Sequence, residues 1–133
     1  MRPSMVVIAL LVLFCAGLAF GADKKIISPP GAKSGGNYSQ GILIDGTLYI
    51  SGQGGEDAAD KISIDFDVEV RQSFDNVGVI LRAAGMSPAD VVSVQVYLKD
   101  AGTFQRMTAV YISYFKDPRP TRTVVVVAGL VGL

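Results

Sequence analysis

Apolar positions change their spacing several times along this chain, and each change marks an element. Lys24–Ser28 is a short candidate strand, and residues 29–40, rich in Pro, Gly and Ser, read as a loop. Gly41–Ile44 and Thr47–Ser51 are apolar runs separated by Asp45-Gly46. Asp-Gly between such runs predicts a tight hairpin, because both central residues must take positive φ. Gly52–Lys61 is polar and flexible in character, and no regular element is expected there. From Phe66 the period lengthens: Phe66, Val70, Phe74, Val77, Leu81 and Ala84 recur at the spacing of a helix that buries one face. Ser63 or Asp65 can cap its start, Gly85 sits where a left-handed C-terminal cap belongs, and Pro88 prevents continuation. Val92, Val94, Val96 and Leu98 then alternate with Ser93, Gln95 and Tyr97, as in a strand with one apolar face. Thr103 can cap a second helix with Phe104, Met107, Tyr111 and Tyr114 or Phe115 on its apolar side. Asp117–Pro120 breaks that helix, and Thr121–Ala128 is a β-branched run, hence another strand. The order strand, hairpin, helix, strand, helix, strand predicts an α+β fold, a sheet with two helices packed on one face.

The segment ahead of these elements reads as a signal peptide covering residues 1–21. Arg2 supplies a positive start, Met5–Phe14 an apolar core, and Ala19-Phe20-Gly21 the small residues of a cleavage site. Cleavage after Gly21 or Ala22 fits equally. The domain is then 22–133, secreted or periplasmic. The alternative is an uncleaved membrane anchor, since Met5–Ala22 carries no charge and is just long enough to span a bilayer. Membrane association is expected only in that case. A lipid attachment site at Cys15 is disfavoured by the bulky Phe14 before it.

Composition narrows the chemistry. With 133 residues this is one small domain, and 12 basic against 12 acidic residues with no basic run gives no reason to expect a nucleic-acid partner. The sequence holds no His, which excludes His bases, His triads and His metal ligands. Its single Cys, Cys15, lies in the segment read as removed, so thiol nucleophiles, disulfides and zinc–thiolate sites go as well. No metal or cofactor is expected. What remains is Arg, Lys, carboxylates, hydroxyls, backbone groups and water.

Arg122 stands out within that set. It lies in an otherwise apolar run, between Thr121 and Thr123 and ahead of Val124–Val127. A guanidinium there is costly to desolvate unless it meets an anion, and its planar fork suits a carboxylate. The residues alone leave two readings open, a ligand's carboxylate or a structural ion pair with Asp or Glu of the same or a neighbouring subunit.

Several short motifs go further. Asn37-Tyr38-Ser39-Gln40-Gly41, Leu48-Tyr49-Ile50-Ser51-Gly52-Gln53, Arg71-Gln72-Ser73-Phe74-Asp75-Asn76-Val77, Ala83-Ala84-Gly85, Val110-Tyr111 with Phe115, and Pro120-Thr121-Arg122-Thr123-Val124 follow one another in order. In that order and spacing the chain, from about Lys24 to Leu130, resembles the reactive-intermediate deaminase family (Rid, or YjgF-like). The resemblance implies a chorismate-mutase-like fold and a ring-shaped homotrimer with sites between subunits. It further implies hydrolysis of 2-imino acids, derived from enamines, to 2-keto acids and ammonia without metal or cofactor. By the same resemblance Arg122 is the catalytic residue that fixes the substrate carboxylate. Tyr38 shapes the cleft wall, Ser51 and Gly52 bind substrate or orient water, and the backbone N–H of Val124 contacts the carboxylate. For Tyr38 the alternative is a surface aromatic, and for Ser51 and Gly52 it is simple strand termination.

The sequence departs from the family at three places. Asn37 stands where the family usually has Pro, so that loop is expected to sit differently. Thr108 stands where the deaminating branch has an Asn that meets the arginine, and it reaches less far; it is kept as a substrate-binding candidate. The family's last strand, with an Ile-Glu-like motif whose Glu positions the attacking water, is expected several residues after Leu130, whereas the sequence ends at Leu133. The domain is read as lacking that strand, and the apolar ending as a truncated product or partial sequence in preference to a genuine end. These departures keep a second reading open: a non-catalytic trimeric binding protein for small carboxylic acids. A third is a chaperone-like or interaction role through exposed apolar surface.

Overall fold

The computed structural model describes residues 21–30 and 36–131. Residues 1–20 of the segment read as a signal peptide therefore lie outside the described residues, as does part of the loop read over residues 29–40. The elements are β1 (Lys25–Ile27), β2 (Gly41–Ile44), β3 (Thr47–Ile50), α1 (Phe66–Ala83), β4 (Ser93–Leu98), α2 (Phe104–Tyr114) and β5 (Thr121–Val126). The predicted order holds throughout.

Local chemistry accounts for most of the boundaries. Asp45 and Gly46 take φ of 49° and 75°, and Ile44 pairs directly with Thr47, so the turn is the two-residue hairpin that Asp-Gly demands. Of the two candidate caps on α1, Asp65 does the capping: its carboxylate accepts from the Asp67 N–H at 2.9 Å, while the Ser63 hydroxyl accepts from the Asp65 N–H at 3.0 Å. Gly85, with φ 75°, ends the helix; its N–H reaches the Arg82 carbonyl at 2.9 Å and that of Met86 reaches Leu81 at 2.8 Å. Thr103 is a correction. Its hydroxyl donates to the Asp100 carbonyl at 2.7 Å and caps nothing, whereas the Asp100 carboxylate accepts from the Gly102 N–H at 2.8 Å. A 3₁₀ turn over Ala101–Thr103 runs straight into α2, so the first free amides come a turn earlier than the periodicity suggested.

The strands form two ladders. β1, β2 and β3 make an antiparallel set, while β4 and β5 run parallel with α2 as the crossover between them. Val94, Val96 and Leu98 of β4 turn inward and Ser93, Gln95 and Tyr97 outward, as the alternation predicts, though Val92 falls outside the strand and is exposed. Both helices pack against this mixed layer. Val70 and Phe74 of α1, Leu98 of β4, Met107, Val110 and Tyr111 of α2, and Phe115 form one buried cluster, with Val94, Val96 and Val124 against it. Phe74 is its hub, with ring centroids of Tyr114, Phe115 and Tyr111 at 5.1, 5.7 and 6.1 Å. At its other end α1 meets the antiparallel ladder. Ile80, outside the predicted stripe, is buried there, and a Cβ on Gly41 would come within 3.0 Å of its Cγ2. The helix covers two ladders, so its buried face is wider than one stripe.

The Gly52–Lys61 segment contains no helix or strand, as expected, but its first half is tied to α1 and not free of it. Ser73 Oγ donates to the Gln53 carbonyl at 3.0 Å, and Asn76 Nδ2 donates to the carbonyls of Gly54 and Glu56, each at 3.0 Å. Gln72 in turn donates to Asn76 Oδ1 at 2.9 Å, which holds the amide in that orientation. Gly55 lies so close to α1 that a Cβ there would be 2.5 Å from Glu69 Cγ.

Candidate functional site

Alternation along β5 decides what each of its residues offers. Arg122 and Val124 are half-buried on the helix side, and Thr121, Thr123 and Val125 face outward. The backbone alternates as well. Thr121 N–H bonds to the Val92 carbonyl at 3.0 Å and Val127 N–H to the Leu98 carbonyl at 2.9 Å, so odd-numbered amides point at β4. In a parallel ladder the even-numbered amides then point the other way. Among the described residues no strand pairs with β5 on that side, and the N–H groups of Arg122 and Val124 lie along an open edge.

The Arg122 side chain crosses to α2. Nη1 donates to Thr108 Oγ1 at 3.3 Å, and Cζ lies 4.6 Å from the ring centroid of Tyr111 and 5.5 Å from that of Phe104. Among the described residues no carboxylate pairs with it; the ion pairs formed are those of Arg106 with Asp65 and Asp67 and of Arg119 with Asp117. Of the two sequence readings, an ion pair within the described chain is thus not formed. A half-buried guanidinium held by one long bond and two ring faces keeps most of its donors for an incoming anion.

Ser51, Gly52 and Tyr38 form a separate group. Ser51 Oγ donates to the Ser39 carbonyl at 2.6 Å and the Ser51 N–H to the Gln40 carbonyl at 2.9 Å, stitching the end of β3 to the preceding loop. Gln53 Nε2 donates to Gln40 Oε1 at 2.9 Å. Gly52 is exposed, with open space where a side chain would stand, and Tyr38 is 53% exposed. Among the described residues no hydrogen bond or ring contact links this group to Arg122, Thr108 or Val124. The structure brings Arg122 and Thr108 together, with Val124 on the same strand, and leaves Tyr38, Ser51 and Gly52 as a second cluster. Sequence reasoning missed the ring faces of Phe104 and Tyr111 on Arg122. Their helical spacing from Thr108 was the available signal.

Arg122, on the inner face of a parallel strand pair and against an aromatic helix face, is the polar centre of this α+β domain. The chain belongs to the family described as Endoribonuclease L-PSP, the YjgF/Rid family, whose model matches residues 30–132. The bovine (Bos taurus) 2-iminobutanoate/2-iminopropanoate deaminase is 41% identical over 110 residues, covering 80% of each chain. RidA from an Antarctic Psychrobacter superposes with a TM-score of 0.77 at 34% identity, over 81% of this chain and 89% of that one. TdcF from E. coli, solved with bound serine, gives 0.75 at 32% identity over 81% and 89%. The fold is accordingly chorismate-mutase-like, two helices on a mixed sheet.

Proposed function

We propose that the chain is a 2-imino acid deaminase, hydrolysing reactive imines to 2-keto acids and ammonia. The observation that carries this reading is Arg122, half-buried, with Thr108 as its hydrogen-bonding partner and no carboxylate beside it among the described residues. It has the chemistry to fix a substrate carboxylate, and the outward N–H of Val124 supplies a second donor on the same strand. Water then adds to the imine carbon, the C–N bond of the resulting carbinolamine breaks, and ammonia leaves as the C=O forms. Acceleration comes from orientation and from donors placed where charge develops. The names of the deaminase relatives support the reaction, and TdcF, solved with bound serine, supports a small amino-acid-like ligand.

The proposal includes a homotrimer and export. The outer face of the β4–β5 ladder carries exposed Tyr97 and Val125, which suits burial against further copies. Export rests on Arg2, the apolar core and Ala19-Phe20-Gly21. Mass spectrometry of the exported protein should find an N-terminus at Ala22 or Asp23; intact Met1 in the cytosolic fraction would count against it. Thr108, in place of the Asn of the deaminating branch, favours the second reading of a carboxylic-acid binding protein without turnover. Purified protein given freshly generated 2-iminopropanoate separates the two. The deaminase reading expects faster ammonia release than in buffer, and pyruvate binding without that acceleration would leave only the binding protein.

A further inference from the structure

The contacts that leave Arg122 available to an anion also show what holds it. Phe104, Thr108 and Tyr111 follow one another on α2 at i, i+4 and i+7, so they share one face of the helix. Arg122 rises against that face, its Cζ 4.6 Å from the Tyr111 centroid and 5.5 Å from that of Phe104, with Nη1 on Thr108. A long, multiply rotatable side chain with a single 3.3 Å bond to a hydroxyl is poorly fixed by that bond alone. Two aromatic faces restrict it much further, because the ring quadrupole attracts the cation over the face.

We infer that Phe104 and Tyr111 are positioning residues: they hold the guanidinium so that its free donors meet a carboxylate already oriented. Binding then avoids part of the cost of immobilising a flexible side chain. The inference rests on the carboxylate role proposed for Arg122. Phe104 is the more separable of the two, since it is half-buried at the start of α2, whereas Tyr111 is deep in the core and donates to the Pro120 carbonyl at 3.4 Å.

The test is a calorimetric titration of pyruvate into the full chain and three variants. Phe104→Leu keeps an apolar side chain but removes the ring, and affinity should fall roughly fivefold, the size of one partly desolvated cation–π contact. Phe104→Tyr restores a ring and should restore the affinity. Wild-type affinity in Phe104→Leu, or an equal loss in Phe104→Tyr, would overturn the inference. Arg122→Ala, read in the same titration, separates this idea from the one beneath it. Undiminished binding there removes the carboxylate role itself. Lost binding there with wild-type affinity in Phe104→Leu removes only the positioning role.

Discussion

Tyr114 sits at the rim of the aromatic cluster and donates its phenol to the Asp75 carboxylate of α1. Burial first, then that hydrogen bond and the charge of Asp75, raise its pKa from 10.0 to about 12, against the opposing charges of Arg71 and Arg82. The folded value lies above the unfolded one, so the folded state keeps the proton longer. The stabilisation is fully present below pH 10 and is lost as pH rises from 10 to about 12. Denaturant titrations across that window should show wild type losing more stability than Tyr114→Phe, which has no phenol to ionise. Parallel losses in the two proteins would remove Tyr114 as the source. At this scale the half-burial of Arg122 was legible, because a charge in an apolar run of a strand lies among the core's neighbours whatever the fold. The restraint on it was not. Phe104 and Tyr111 read correctly as a helix's apolar face, but only the packing of β5 against α2 puts those rings on the guanidinium.

Elements whose signals lie within a few residues were legible for the same reason that they form: Asp45-Gly46, Asp65 and Gly85 each satisfy or bend backbone beside themselves. Thr103 misled because a 3₁₀ turn moved the free amides away from it. The pinned half of the 52–61 loop was illegible because its anchors, Ser73 and Asn76, lie 20 to 22 residues further along. Gly55 tests that attachment. A Cβ there would lie 2.5 Å from Glu69 Cγ and 2.6 Å from the Glu69 carbonyl, which is backbone and cannot swing aside. Gly55→Ala should cost about 1–3 kcal/mol in a denaturation experiment, the usual range for overpacking. Gly52→Ala, facing open space in the same loop, should cost far less. Equal stability of the two variants would mean that the loop is not held against α1.

For the whole molecule, the α+β order was legible from the alternation of periods, whereas the division into an antiparallel and a parallel ladder was not, since parallel pairing joins residues across an entire helix. Trimerisation belongs to this scale. Light scattering on the purified chain should give a mass near three protomers, and a stable monomer at micromolar concentration would contradict the proposed assembly. The central claim is that Arg122 is there for a carboxylate. Its most direct test is calorimetric titration of pyruvate into wild type and Arg122→Ala. Losing one partner of a desolvated charge pair costs about 2–5 kcal/mol, so the variant should bind at least roughly 30-fold more weakly. Unchanged affinity in Arg122→Ala would contradict the account.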